Sequence, residues 1–157
     1  MTDPAAEQWP GTDPAFRRSE VSAAIGRGDE AWARATREVL RWGVKTASGF
    51  SVESTGPVSA GDRVTVTARV LGLRVVEPVE VVTVVETEDR VGFSYRTLPG
   101  HPVDGEEAFI VSRVDDELRL TVRSLTRAAP QQPWRVLYPL LLVMQRVAKR
   151  RYLRALR

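Results

Sequence analysis

The chain has 157 residues, enough for one domain with a buried core, and its 43% hydrophobic and 27% charged residues are typical of a globular protein. Its net charge of +3 is uneven, because six basic and no acidic residues lie between positions 146 and 157. It has no cysteine and one histidine, His101, which excludes disulfide bonds, thiol nucleophiles and metal sites built from cysteines or several histidines.

The N-terminal segment is polar and rich in proline, glycine and aspartate, without the basic start and apolar stretch of a secretion signal. We interpret residues 1–14 as a disordered leader before a single domain at residues 15–157. The longest apolar run, residues 136–144, is too short to cross a bilayer, so we expect no stable membrane insertion. Together with the missing cysteines, these features predict a cytoplasmic protein.

The next segment predicts a strand followed by a helix. At residues 16–25 apolar and polar side chains alternate, as in a half-buried strand. Asp29 is then a candidate N-cap, Trp32 and Trp42 lie in a run with helical spacing, and Gly43 can end the helix. The two tryptophans fit core positions better than ligand contacts, because they share the apolar face of this helix.

After this helix the apolar period changes from 3.6 to 2, which predicts six strands joined by short turns. The predicted strands lie at residues 49–53, 64–70, 74–87, 91–95, 108–114 and 118–122. The fourth of these segments, 91–95, and the fifth flank a stretch rich in proline and glycine. Because the connections are short, we expect sequential antiparallel hairpins.

The last segment predicts one long amphipathic helix from about residue 133 to near the C-terminus. Its two faces separate when each residue advances by about 100°. The apolar face comprises Leu137, Leu141, Met144, Ala148, Tyr152 and Ala155, and the opposite face comprises Arg146, Arg150, Arg154 and Arg157. Pro139 should either begin this helix or kink it. Trp134 fits a cavity mouth and a packing position equally well.

A sheet with one apolar face needs a cover, and the final helix is the only predicted element long and apolar enough to provide it. The sequence therefore predicts an α+β helix-grip fold, in which a curved antiparallel sheet of about seven strands wraps around a long C-terminal helix. This element order resembles the birch-allergen and lipid-transfer (START-like) superfamily. The resemblance implies a fold and no particular function.

Residues 92–109 carry a longer and more specific motif, GFSYRTLPGHPVDGEEAF. This motif resembles the hallmark of an uncharacterised family catalogued as the domain of unknown function numbered nineteen-ninety. The segments FRRSEV at 16–21 and RRYLRAL at 150–156, and the helix that ends in Leu-x-Trp, resemble other parts of the same family, so the resemblance covers nearly the whole chain. The family offers no accepted catalytic residues. Arg96 stands where the family pattern has a small residue, which implies a different ligand if this position faces a pocket.

The turn at residues 98–105 is the most informative segment for chemistry. Its prolines and glycines hold His101 in a defined position, and histidine suits proton transfer near neutral pH. Glu106 and Glu107 point to opposite faces if they begin a strand, so one of them faces inward. One interpretation is a catalytic pair of His101 and a glutamate, with Tyr95 as a donor. We favour a structural interpretation, in which the histidine caps backbone groups and the inward glutamate pairs with an arginine, since no nucleophile or metal signature accompanies them.

Arg151 is the arginine that the helical pattern offers as this partner. It lies near the middle of the apolar face, between Ala148 and Tyr152, where a charge needs a partner or a route to solvent. We therefore predict an ion pair of Arg151 with Glu106 or Glu107.

These observations lead to three hypotheses for function, of which the first is binding of a small hydrophobic molecule in a cavity between the sheet and the final helix. The predicted binding residues are Phe93, Tyr95, His101, Glu106, Phe109, Leu137, Leu141 and Met144. Of these, His101 and Glu106 would orient a polar group. The second hypothesis is a lyase, cyclase or isomerase that transfers protons with the candidates His101, Glu106, Glu107 and Tyr95. We favour binding over catalysis.

The third hypothesis is an interaction module whose basic helix face meets anionic lipid or nucleic acid. This face comprises Arg146, Lys149, Arg150, Arg154 and Arg157. A solvated helix face explains it better, because the rest of the chain is acidic and no aromatic residue is interleaved. We expect no nucleic acid partner and, since no acidic loop has the spacing of a metal site, neither a metal nor a cofactor. The sequence leaves the oligomeric state open.

Overall fold

The computed structural model describes residues 1–11 and 13–157. In this part of the chain a strand, two helices, six strands and a long helix follow one another, which confirms the predicted α+β class. The strands are β1 (Arg17–Arg27), β2 (Ser51–Val52), β3 (Arg63–Val70), β4 (Leu73–Glu86), β5 (Arg90–Thr97), β6 (Val103–Val114) and β7 (Glu117–Ala128). The helices are α1 (Gly28–Val39), α2 (Gly43–Thr46) and α3 (Trp134–Ala155).

The strands form one curved antiparallel sheet in the order β1-β7-β6-β5-β4-β3-β2. Strands β2 to β7 pair in sequence, as the short connections predict, and β1 lies beside β7. The β3–β4 hairpin turns through Leu71 and Gly72, whose φ angles are 50° and 79°. Two consecutive positive φ angles match the right-handed twist of the paired strands, so this turn allows a tight hairpin.

The core lies on one side of the sheet, called the helix side because α3 covers it. Phe93 and Phe109 are fully buried there, and Trp42 packs against Phe93 with ring centroids 4.8 Å apart. Trp32 packs against the same cluster, which confirms that both tryptophans are core residues. From α3 only the last turns reach this core, through Tyr152 and its neighbours, and the earlier turns are more exposed.

The ends of the first helix differ from the prediction. No side chain caps α1, and the carboxylate of Asp29 instead pairs with Arg113 at 2.7 Å. The left-handed residue after α1 is Trp42, with φ of 62°, whereas Gly43 begins α2. This four-residue helix has no room for an apolar period, so the sequence pattern did not predict it. It carries Lys45, whose side chain is buried.

The first eleven residues belong to the segment that was predicted to be a disordered leader, but they pack against the outer side of the sheet, opposite α3. Thr2 and Trp9 are buried. The buried guanidinium of Arg123 donates hydrogen bonds to the backbone carbonyls of Asp3, Ala6 and Glu7. A buried guanidinium needs such acceptors, so Arg123 holds this segment on the sheet. Thr12, also part of the predicted leader, lies outside the described residues.

Strand β6 begins at Val103, earlier than the predicted start at Ala108. Gly105 makes this possible, because a Cβ at this position would lie 1.8 Å from the carbonyl oxygen of Leu125. The second half of the motif is therefore strand and not loop. Helix α3 begins at Trp134, so Pro139 lies inside the helix and does not begin it.

Candidate functional site

A cavity of about 400 Å³ lies between the helix side of the sheet and the middle of α3. This volume is within the range of about 300–1,000 Å³ that ligand pockets span. Its apolar wall is formed by Phe50, Ala68, Val70, Leu71, Val75, Pro102, Val103, Leu141, Val143, Met144, Val147 and Ala148. Its polar wall includes a set that we call the polar cluster, which comprises Lys45, Glu77, Tyr95, His101, Glu107 and Tyr152.

The structure brings most, but not all, of the predicted binding residues to this cavity. Those whose side chains line it are Tyr95, His101, Leu141 and Met144. Glu106 borders the cavity, but its carboxylate accepts hydrogen bonds from Thr2 on the outer side of the sheet, so it does not orient a ligand as predicted. Phe93 and Phe109 lie elsewhere, because they are fully buried and pack together in the core with ring centroids 5.9 Å apart. Leu137 is exposed, because the first turns of α3 are barely covered by the sheet, and Trp134 is also absent from the wall.

Lys45 lies at the centre of the polar cluster, although only 5% of its surface is exposed. Its ammonium donates a hydrogen bond of 2.8 Å to the hydroxyl of Tyr152. It also lies 3.6 Å from Oε1 of Glu107 and 3.8 Å from Oε2 of Glu77. A buried ammonium is tolerated only with such compensation, so α2, β4, β6 and α3 are joined through one charge.

Aromatic rings surround the same ammonium. Its Nζ lies 4.4 Å from the ring centroid of Phe50, 5.1 Å from that of Tyr152 and 5.6 Å from that of Tyr95. Ring faces attract a cation at such distances. Burial lowers the pKa of Lys45, but the two tyrosines and then Glu107 and Glu77 outweigh it and raise this pKa well above its ordinary value. Lys45 therefore stays charged inside the protein.

The tyrosines of the cluster are neutral, and their hydroxyls have different roles, since that of Tyr152 accepts from Lys45. The hydroxyl of Tyr95 donates to the carboxylate of Glu107. Burial and the charge of Glu107 raise the pKa of Tyr95 well above its ordinary value, and burial also raises the pKa of Tyr152. Burial likewise raises the pKa of the Glu77 carboxyl, while the charge of Lys45 opposes that shift.

His101 caps the backbone, which confirms the structural interpretation of this residue. Its Nδ1 accepts a hydrogen bond of 3.0 Å from the amide of Val103, so the ring proton sits on Nε2. Nε2 lies 3.9 Å from Oε2 of Glu77, beyond hydrogen-bond distance. Burial, followed by the charge of Lys45, lowers the pKa of His101 to about 3. His101 is therefore a neutral donor that faces the cavity.

The two glutamates of the motif point to opposite sides of the sheet, as predicted. Glu106 accepts hydrogen bonds from the amide and hydroxyl of Thr2, whereas Glu107 faces Lys45. The predicted ion pair of Arg151 with either glutamate is wrong, because other residues already satisfy both carboxylates. Arg151 is exposed at the edge of the cavity, and no carboxylate of the described residues lies within ion-pair distance of it. Neither of these two carboxylates lies within ion-pair distance of the His101 ring; the glutamate that does is Glu77.

Sequence reasoning missed Lys45 and Glu77, although each left a signal. The chain has only two lysines among 23 basic residues, Lys45 and Lys149, and neither side chain is exposed. Glu77 lies within the valine-rich strand β4, where a half-buried carboxylate requires a cation. A search for the partner of that carboxylate would have pointed to one of the two lysines.

Arg96, the departure from the family pattern, does not reach the cavity. Its guanidinium pairs with Glu80 on the neighbouring strand. Within residues 1–11 and 13–157, no group of histidine, cysteine and carboxylate side chains could hold a metal ion. In the same part of the chain, no helix is both long and apolar enough to span a membrane.

Comparison with known proteins assigns the fold and a family. The family model described as "Domain of unknown function (DUF1990)" matches residues 2–155. No curated protein matches the chain. Similar solved structures include the hypothetical protein jhp0584 from Helicobacter pylori, with 15% identity, coverage of 99% of this chain and 96% of that chain, and a TM-score of 0.62.

Two further solved structures are similar to this chain over most of its length. The ginseng major latex-like protein 151 from Panax ginseng has 14% identity, coverage of 87% of this chain and 98% of that chain, and a TM-score of 0.51. Ara h 8.0201 has 14% identity, coverage of 87% and 95%, and a TM-score of 0.53. At these identities the likeness establishes the fold alone, which is the predicted helix-grip fold of birch-allergen-like proteins.

Proposed function

The chain belongs to the uncharacterised DUF1990 family and has a fold compatible with ligand binding, and from this premise we propose that it binds a small hydrophobic molecule between the sheet and α3. One observation carries the proposal, a cavity of about 400 Å³ with a largely aliphatic wall and a buried polar cluster at one part of it. An apolar space with a few convergent polar groups is the usual form of a small-molecule site.

The mouth of the cavity supports entry of an apolar ligand. Leu71, Val143 and Val147 line the cavity and are also exposed to solvent, Leu71 to 98%. Leu71 in addition adopts the left-handed conformation, which costs a branched side chain about 1–2 kcal/mol. An exposed leucine in a strained conformation contributes nothing to the core, so contact with a ligand is a better reason for it.

The polar cluster would orient one oxygen atom of the ligand. Lys45 Nζ and His101 Nε2 lie 3.8 Å and 3.9 Å from the same oxygen of Glu77, so neither makes a short hydrogen bond to it. An oxygen that approaches from the cavity could accept from both donors. A hydroxyl could at the same time donate to Glu77. The proposed ligand is therefore hydrophobic with a hydroxyl or carbonyl group at one end.

Two measurements test the proposal. Native mass spectrometry of the protein purified from its own host should detect a co-purifying small molecule. Nile red, a neutral dye that fluoresces in apolar surroundings, should bind the purified chain. Ala68→Phe places a ring in the cavity and should weaken dye binding, whereas Thr67→Phe, at the next position of β3 and outside the cavity wall, should not. Equal dye binding by both variants and the wild type would contradict the proposal.

A proton-transfer enzyme is the second candidate, favoured by the concentration of buried ionisable groups in one cavity. The Nε2–H form of His101 is a donor, so Glu77, whose pKa burial raises, is the better proton acceptor. In D2O, a ligand found by native mass spectrometry should then gain deuterium at a carbon atom with the wild type and not with Glu77→Gln. The cytoplasmic location inferred from composition stays a prediction.

A further inference from the structure

A second, smaller space of about 290 Å³ lies between strand β1 and the C-terminal half of α3. We call it the basic groove, because Arg17 from β1 and Arg146, Lys149 and Arg150 from α3 line it. No carboxylate lies among the described residues of its wall. The hydroxyl of Ser19 adds a polar group to the same wall.

The four cations of the basic groove lack partners of opposite charge in the part of the chain that the structure describes. Seven other arginines do have such partners, for example Arg96 with Glu80 and Arg127 with Asp104. These pairs lie elsewhere on the sheet, so carboxylates are available in the chain but are not placed at this groove. Four unpaired cations around a concave space attract an anion.

Lys149 is the most buried of these cations. Its Nζ donates a hydrogen bond of 2.7 Å to the hydroxyl of Ser124, which holds the ammonium against the sheet. Burial lowers its pKa, Glu107 raises it and the nearby Arg17 lowers it again. An anion in the groove would offset both the lost hydration and the repulsion between these cations.

The basic groove adjoins the larger cavity. Thr126 on β7 and Gln145 on α3 line both spaces, so these two side chains form their boundary. Neither side chain carries a charge. A ligand that passes this boundary would have its apolar part in the cavity and one end among the four cations.

We infer that the ligand is an amphipathic anion. Its apolar part occupies the cavity, and its carboxylate or phosphate group binds in the basic groove. This inference rests on the proposed function. The groove thus selects among hydrophobic molecules by charge. Free inorganic phosphate presents the same chemistry, and the experiment separates the two sources.

The test measures displacement of Nile red by decyl phosphate and by decanol, which share a chain and differ in charge. Decyl phosphate should bind roughly tenfold more tightly, as expected for hydrogen bonds to a charged group. The double variant Arg146→Gln/Arg150→Gln should remove this advantage and leave decanol binding unchanged. The control Arg154→Gln, an exposed arginine of the same helix outside the groove, should keep it.

Other outcomes separate the two proposals. Equal affinity of decyl phosphate and decanol, or an advantage that survives the double variant, would overturn the inference and leave the proposed function standing. If Nile red and both compounds fail to bind, the proposed function is wrong. Inorganic phosphate that binds as tightly as decyl phosphate, seen as shifts of the Ser19 and Lys149 amide resonances, would overturn the amphipathic ligand in favour of a free anion.

Discussion

The ammonium of Lys45 donates a hydrogen bond of 2.8 Å to the hydroxyl of Tyr152 and thereby ties the short helix α2 to the end of α3. Both residues belong to the cavity wall, and Tyr152 also belongs to the core. The contact that stabilises the helix end therefore also shapes the candidate site. A change at Lys45 should affect the fold and the ligand together.

We expect Lys45→Met to destabilise the protein by about 3–5 kcal/mol, because it leaves Glu77 and Glu107 buried without their cation. Urea denaturation of the variant and the wild type measures the loss. The matched substitution Lys149→Met should cost less, since that lysine has no carboxylate partner among the described residues.

A second substitution tests the physical reason for this loss. The double variant Lys45→Met/Glu107→Gln removes one of the two carboxylates that Lys45→Met leaves without a cation. It should therefore recover part of the lost free energy of unfolding. A double variant that is less stable than Lys45→Met would show that the ion pair is not what Lys45 contributes.

The stability of the protein should depend on His101 at acidic pH. The pKa of this residue falls from 6.5 to about 3 on folding, so between these values the unfolded chain binds a proton that the folded chain does not. The contribution of neutral His101 to the free energy of unfolding is complete above pH 6.5. It is lost as the pH falls towards 3, by at most about 1.4 kcal/mol per pH unit. Glu77 acts in the opposite sense, because its raised pKa favours the folded state below its ordinary value of 4.5 and loses this effect as the pH rises.

Comparison with His101→Gln separates the two groups, since Glu77 is present in both proteins. The stability of the wild type relative to this variant should decrease as the pH falls from 6.5. Because the chain has one histidine, its ring resonances can be followed alone by NMR. A ring that titrates near pH 6.5 in the folded protein would contradict the prediction.

Leu71→Asn should improve the hairpin and impair the site. Asparagine followed by Gly72 is a favoured pair for a two-residue turn with positive φ angles, so the free energy of unfolding should rise by up to about 1 kcal/mol. Nile red binding should weaken, because an apolar residue is lost from the cavity mouth. The control Leu73→Asn changes an exposed leucine outside the cavity wall and should leave dye binding intact.

Arg123→Gln should release the N-terminal segment from the sheet. The variant loses the charged donors that hold the carbonyls of Asp3, Ala6 and Glu7, at an expected cost of about 2–4 kcal/mol. Hydrogen exchange of the first nine residues should become faster. Arg119→Gln, an exposed arginine of the same strand, should leave that exchange unchanged; equal protection in both variants would contradict the role given to Arg123.

The fold could be predicted because its elements follow simple periods. Alternating valines in β3, and the helical spacing of apolar residues from Leu141 to Tyr152, indicate which side of each element is buried. The N-terminal segment could not be predicted in this way. It has neither period, and it is ordered through backbone carbonyls that Arg123 binds, which no side-chain pattern encodes.

The candidate site was predicted in part, for a related reason. Tyr95, His101 and Glu107 were found because they lie in one continuous motif. Lys45 and Glu77 lie in separate elements and meet only through the tertiary fold, so position along the chain gave no indication that they are close. Arg151 was assigned to the wrong partner because helical phase fixes a face but not the depth of a side chain beneath the sheet.

The scarcity of lysine gives this protein an unusual chemical property. Lys45 and Lys149 carry the only side-chain amines of the chain, one in the cavity wall and the other in the basic groove. Reagents that modify lysine amines would therefore report on these two places and nowhere else along the side chains. Protection of one amine but not the other by a bound molecule would locate that molecule without a structure of the complex.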